Sequence, residues 1–272
     1  MASKIELGSV GAVVQPSGDG AFVDAAVQLE QLGFPAIWGG PLEGLSQLRQ
    51  LVEGTQTVRI ASGIIAADRF AVDDVAAFYA EIEAAHPGRF VLGLGGVRGP
   101  DSFATLNAYL DRLDELGVPA SARIMAALGP RSLDLARNRA AGAFPVLVTP
   151  EYIARARERL GDGSTLAVEQ FCIIEADAEQ AREIARGVLA FMSKLPFYQA
   201  SFRRQGFDDR EITDLDDRLI DALVAWGDID TVAARITDHH TAGADHVAVI
   251  LLSATPDFPV DDWTALARAV LS

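Results

Sequence analysis

One stretch, residues 58–96, constrains the fold more than anything else in the chain: VRIASGIIAADRFAVDDVAAFYAEIEAAHPGRFVLGLGG. An apolar run leads through a loop into a segment with apolar residues at helical spacing over 72–85. A His-Pro-Gly-Arg turn follows, then a second apolar run ending in glycines. Continuous apolar runs of this length suit strands buried on both faces, and a helix between two of them makes a parallel strand-helix-strand unit. Gly63 in the first run and Gly93, Gly95 and Gly96 in the second fall at strand ends, where such folds build their sites.

The same alternation runs from end to end. The spacing predicts strands over 5–14, 36–38, 58–65, 90–94, 123–127, 144–148, 166–174 and 246–252. Helices are expected over 21–32, 42–53, 72–85, 102–116, 132–141, 153–160, 177–189, 229–241 and 262–271, with Ser102 and Asp177 as N-terminal caps. Three helix exits share a glycine stop followed by a short link and a strand, at Gly33, Gly117 and Gly243. Eight buried strands alternating with helices are best satisfied by a closed parallel (β/α)8 barrel, with an open doubly wound sheet as the rival. Residues 190–226 are longer and more charged and break the rhythm, so they read as an insertion. Nothing resembling a linker divides the chain, and residues 1–272 are expected to form a single domain.

Composition narrows the partners. With 23 basic against 38 acidic residues the net charge is −15, which argues against a general nucleic-acid or anionic-membrane surface. A local anion site remains allowed, because amides at helix N-termini bind phosphate without basic side chains. Cys172 is the lone cysteine, so no internal disulfide forms. Charges or turn residues interrupt every apolar run before transmembrane length, and the N-terminal residues lack the apolar core of a signal peptide. A soluble, cytoplasmic protein acting on a small molecule is the expectation.

In a barrel of this kind chemistry sits after the strands, at their C-terminal ends. That rule removes His86, in a turn before a strand, and His246, which opens one. His239 and His240 fall late in a helix, and Cys172 lies mid-strand, so no metal site is expected. The surviving strand ends carry Trp38-Gly39-Gly40, Gly63-Ile64 with Asp68 and Arg69, Gly95-Gly96-Val97-Arg98, the 128–132 loop, and Val148-Thr149-Pro150. Trp38 is either a core aromatic or a wall for a flat ring, and its place at a strand end favours the wall. Leu128 and Gly129, with Thr149, suit a phosphate-binding turn or, equally, an ordinary capped one. Gly63 inside an apolar run indicates a bulge, whereas Gly93, Gly95 and Gly96 miss the dinucleotide fingerprint and fit a close backbone approach to a flat ligand. Phe197, Tyr198 and Phe202 in the insertion either cover a pocket or anchor the insertion to the barrel.

Six motifs together give the chain a family resemblance: GFPAIWGG, VRIASGII, HPGRFVLGLGG, IMAALGPRSLDLARNRAAGAFPVLVTPE, the DAEQAR helix start and TAGADHVAVILL. They resemble the luciferase-like monooxygenase superfamily, and most of all its actinobacterial branch that uses the deazaflavin coenzyme F-420. The resemblance implies a (β/α)8 barrel with one insertion, a homodimer, and a flavin or deazaflavin at the C-terminal face. It also implies a non-proline cis peptide or bulge behind the ring, matched here by Gly63-Ile64, and a phosphate loop matched by Leu128, Gly129 and Thr149. Trp38, Gly95 and Gly96 complete the expected cofactor set. Relatives with an acidic residue and a histidine after the strand-two tryptophan differ from this chain, which has Gly39-Gly40-Pro41. A Ser-His pair after strand four is replaced by Val97-Arg98. Arg98 is therefore the expected catalytic residue, with Asp68 and Arg69 behind it. The implied activity is hydride transfer between F-420 and a small organic substrate. An FMN-dependent monooxygenase and a non-catalytic flavin or deazaflavin binder are the alternatives.

Overall fold

Strands β1 (Val10–Val14), β2 (Ala36–Gly39), β3 (Arg59–Ser62), β4 (Ile65–Ala66), β5 (Phe90–Gly95), β6 (Arg123–Met125), β7 (Gly142–Ala143), β8 (Thr165–Ile174), β9 (Val224–Gly227) and β10 (His246–Leu251) all pair in parallel in the computed structural model. The structure describes residues 4–16, 20–99, 101–253 and 258–271. Eight of the strands close on themselves in the order β1-β2-β3-β5-β6-β7-β8-β10, and β10 pairs back with β1 through Val10 opposite Val247. This is the closed parallel (β/α)8 barrel that the alternation predicts. β4 continues the line of β3 beside β5, and β9 adds to β8 at Phe171–Ile174, beyond the reach of β7.

Helices α1 (Ala21–Gln31), α2 (Leu45–Gly54), α3 (Val72–Ala85), α4 (Ser102–Glu115), α5 (Pro130–Arg139), α6 (Pro150–Leu160), α7 (Ala178–Met192), α8 (Pro196–Arg204), α9 (Asp209–Asp214), α10 (Asp217–Leu223), α11 (Ile229–Thr241) and α12 (Val260–Val270) complete the chain. Successive strand residues face opposite ways, and the buried apolar residues accordingly fall into two sets. One set, including Ile60, Leu92, Val168 and Val249, packs outward against the helices. The other, including Trp38, Ala61, Val91, Phe144 and Phe171, fills the barrel and continues into α8–α10 through Phe202, Leu219 and Ile220. Arg182 on α7 binds Asp221 on α10 at 2.6 Å and fastens the inserted helices to the barrel wall. Among the described residues no helix is long and apolar enough to cross a membrane.

Several boundaries move for identifiable reasons. Asp177 caps α7 as expected, its carboxylate accepting from the Glu179 and Gln180 amides at 3.0 Å. Ser102 is not a cap: α4 begins at Ser102 itself, after Asp101. The expected strand over 58–65 is cut at Ser62 and resumes at Ile65. The expected strand over 144–148 is replaced by a two-residue β7 that starts two residues earlier; Val146 keeps a single bridge to Glu169, and Leu147 then turns the chain with φ 54°. The insertion contains three short helices and then β9, whose run of Val224, Ala225 and Trp226 is too short to stand out by periodicity.

Candidate active site

The interruption of β3 organises the mouth of the barrel. The Gly63-Ile64 peptide is cis, and β4 re-forms the ladder opposite Leu94 and Gly95. In the gap, the Ser62 hydroxyl accepts from the Gly93 amide at 2.8 Å and donates to the Gly93 carbonyl at 2.9 Å. One side chain thus replaces the missing backbone pairing at a place where an unpaired buried amide would be costly. The bulge leaves no room for side chains beside it. A Cβ on Gly93 would lie 1.8 Å from the Ser62 carbonyl oxygen, and one on Gly40 would lie 2.0 Å from that of Gly63. Gly40 itself begins a second cis bond, Gly40-Pro41.

Beneath the bulge lies a sealed aromatic layer. Trp38 is fully buried and stacks on Phe144 with ring centroids 3.8 Å apart. Both rings come within ordinary contact distance of the position a Gly63 Cβ would take. Trp38 is thus a core aromatic under the mouth, with no exposed face. Its indole N–H donates to Nε2 of His246 at 3.0 Å, and Nδ1 of His246 donates to the Gly8 carbonyl at 2.8 Å. Burial lowers the pKa of His246 to about 4 and that of His239 to about 3, so both are neutral.

Above this layer partial solvent access returns at several strand ends. Gly63 and Ile64 at the end of β3, Ala126 after β6, Val146 after β7 and Glu169 on β8 keep partial solvent access beside sealed neighbours. Gly95 sits between the first two groups, since a Cβ there would meet Ala126 and Ile64 at 2.7 and 3.2 Å. Glu169 points inward: it alternates with Ala167, Phe171 and Ile173, which fill the barrel, whereas Val168 and Cys172 face the helices. Burial raises its carboxyl pKa to about 7. Sequence reasoning missed Glu169. Its inward parity in an otherwise apolar strand was the available signal.

The expected phosphate loops are tied down by protein groups. The Gly129 amide donates to Ser132 Oγ at 3.0 Å, and Gly129 is the N-cap of α5. The Thr149 amide donates to Oε1 of Gln205 at 2.8 Å, while its hydroxyl caps α6 by accepting from Tyr152. Arg204, one residue earlier in the insertion, donates to the Leu128 carbonyl at 3.0 Å. A cleft of about 490 Å³ opens here between α5 and α6, lined by Leu128, Pro130, Tyr152, Arg155, Arg159 and Arg204. Sequence spacing gave no sign of Arg204, which reaches the loop from 76 residues away.

Arg98 stands on the rim. Its side chain is 63% exposed and donates through Nε to Asp68 at 3.3 Å. Arg69 is also exposed and lies over the Phe70 ring. Gly96 follows β5 with φ 76° and is exposed, so the 95–98 segment leaves the barrel rather than entering it. In the insertion Tyr198 and Phe202 are buried against the barrel core, while Phe197 is 45% exposed.

The sequence resembles the luciferase-like monooxygenases over part of its length, and the fold is one that known oxidoreductases and monooxygenases share. The sequence model for the luciferase-like monooxygenase family matches residues 117–246. Three solved structures extend the likeness to nearly the whole chain. An F-420-dependent secondary alcohol dehydrogenase in complex with an F-420–acetone adduct superposes with a TM-score of 0.76 at 14% identity, covering 97% of this chain and 99% of that one. The coenzyme F-420-dependent tetrahydromethanopterin reductase of Methanopyrus kandleri gives 0.75 at 18%, covering 97% and 98%. The FMN-bound oxygenating constituent of 3,6-diketocamphane monooxygenase from Pseudomonas putida gives 0.71 at 12%, covering 97% of each. No protein of curated function matches the chain in sequence.

Proposed function

We propose that this chain is an F-420-dependent oxidoreductase that transfers hydride between the deazaflavin and a small organic substrate. The observation that carries the reading is the interrupted strand: between Ser62 and Ile65 the chain leaves the ladder, and partly accessible Gly63 and Ile64 stand beside Gly95 and Ala126. These residues fit a flat polycyclic ring. Gly63, Gly95 and Ala126 would offer backbone and methyl surface, with Ile64 as an apolar edge and Gly96 at the rim. Leu128, Gly129 and Thr149, with Arg204 above them, would hold the phosphate-bearing side chain. When bound, the deazaflavin supplies a two-electron hydride donor or acceptor. The protein's own contribution is to fix the ring against the bulge, shield it with the Tyr198 and Phe202 helix, and orient the substrate. Two of the three structures described above carry F-420 in their names, which supports the deazaflavin.

An FMN-dependent monooxygenase is the second reading, supported by the similarity to the FMN-bound oxygenating constituent. Titrating the purified protein with F-420 and with FMN, followed by absorption, separates the two. Tighter F-420 binding is expected, and tighter FMN binding would overturn the deazaflavin in favour of the monooxygenase. Binding of neither at concentrations on the order of tens of micromolar leaves a non-catalytic relative. A cytoplasmic homodimer, with residues 1–272 acting as one unit, completes the proposal, and light scattering tests the assembly.

A further inference from the structure

Glu169 sits where a carboxylate is expensive. It projects into the barrel from the middle of β8, bridged through its backbone to Val146 of β7 and paired with Ala248 of β10. Both neighbouring side chains are apolar. Tyr198 of α8 is close enough for the Glu169 charge to add to the burial that raises its phenol pKa. Among the described residues its carboxyl group has no hydrogen-bond or ion-pair partner, in contrast to His246, whose two nitrogens are both used. A buried carboxyl is ordinarily paired or replaced. Here it is left unpaired, yet keeps partial access to solvent, as do Gly63, Ile64 and Ala126 at neighbouring strand ends. An acid held in this way is suited to exchanging a proton with something that enters the lumen.

We propose that Glu169 is the proton-transfer residue of this site and that its substrate is an uncharged carbonyl compound or the corresponding alcohol. The inference rests on the cofactor reading above. In the reducing direction the carbonyl carbon accepts hydride, with the reduced deazaflavin as two-electron donor. The C=O π pair would then take the Glu169 proton, so a C–H and an O–H bond form on the substrate while the hydride donor's C–H bond, the C=O π bond and the carboxyl O–H break. Glu169 recovers its proton from water at the mouth, and the oxidising direction is the reverse. Ile64, Ala126 and Val146 supply apolar walls, and an anionic substrate would meet both the Glu169 carboxylate and a chain of net charge −15.

The test compares wild type with Glu169→Gln and Glu169→Asp, using cyclohexanone with reduced F-420 and cyclohexanol with oxidised F-420. Glu169→Gln is expected to bind F-420 as wild type does and to lose roughly 10²–10⁴-fold in kcat, with KM little changed and partial recovery in Glu169→Asp. Independently of turnover, infrared difference spectra of the cofactor-free protein should show a protonated carboxyl band that persists to near neutral pH and is missing in Glu169→Gln. A Glu169 that ionises near the ordinary value of about 4 would overturn the proposal. So would a Glu169→Gln protein that keeps wild-type kcat, or a wild type that binds F-420 and acts on neither probe. In those cases the cofactor reading stands, whereas a wild type that binds neither F-420 nor FMN removes that reading itself.

Discussion

Trp38 on β2 donates its indole N–H to Nε2 of His246 on β10 at 3.0 Å, past the intervening β1 and across 208 residues of sequence. The bond fixes the imidazole tautomer, since Nε2 must accept and Nδ1 must carry the proton given to Gly8. With the stacking on Phe144, it ties β1, β2, β10 and the segment after β7 into one layer beneath the site. Trp38→Phe keeps an aromatic ring but leaves Nε2 buried without a donor. The expected loss is about 1–3 kcal/mol, read as a fall in the urea midpoint at unchanged slope.

Buried titrating groups make stability depend on pH in two opposing ways. His246 and His239 are neutral in the fold, with pKa about 4 and about 3, against about 6.5 when unfolded. As pH falls below that unfolded value, the unfolded chain takes up protons that the fold refuses, and stability is lost down to the folded values. Glu169 works the other way: its folded pKa of about 7 lies above an unfolded value near 4.3, so stability is lost as pH rises through that window. His246→Asn is expected to flatten the acid limb relative to wild type. Glu169→Gln is expected to match wild type near pH ~4 and exceed it at pH ~8 by roughly 3 kcal/mol. Urea titrations of the three proteins across this range check both signs.

The barrel was legible because apolar runs, helical spacing and the glycine exits at Gly33, Gly117 and Gly243, all with positive φ, agree locally with the global fold. The bulge was legible from Gly63 because a glycine in a buried run has few other uses. What could not be read depends on distance in sequence. Ser62 fills a gap whose other side is Gly93, Gln205 and Arg204 reach loops more than fifty residues away, and Glu169 acquires its character from burial alone. Trp38 misled for a related reason: it lies one residue before the end of β2, and parity turns it into the core.

Ser62 offers a test of how the bulge is held. Ser62→Ala removes the hydroxyl that both accepts from and donates to Gly93, stranding two buried backbone groups at once. A loss of roughly 2–6 kcal/mol is expected, twice the cost of a single stranded group, with weaker binding of the flat cofactor. Ser62→Thr keeps the hydroxyl and should retain most of both. Thermal unfolding and cofactor titration of the two variants give the comparison, and equal behaviour of Ala and Thr would mean that the backbone holds the bulge without the hydroxyl.

Arg204 is the cationic side chain that the insertion brings over the 128–129 turn, with Arg155 and Arg159 in the same cleft. Its protein tie is one hydrogen bond to the Leu128 carbonyl, and the side chain is exposed, so its removal should leave folding largely intact. Arg204→Ala is expected to weaken binding of the phosphate-bearing cofactor by about tenfold or more, the scale of one charge-assisted hydrogen bond. The salt dependence of binding should fall with it. Gln205→Ala should act differently, freeing the Thr149 amide and loosening the 147–149 bend without changing the charge. Its effect on affinity should therefore be insensitive to salt. Titrations at low and high ionic strength distinguish the two, and an Arg204→Ala protein with wild-type affinity at low salt would place the phosphate elsewhere.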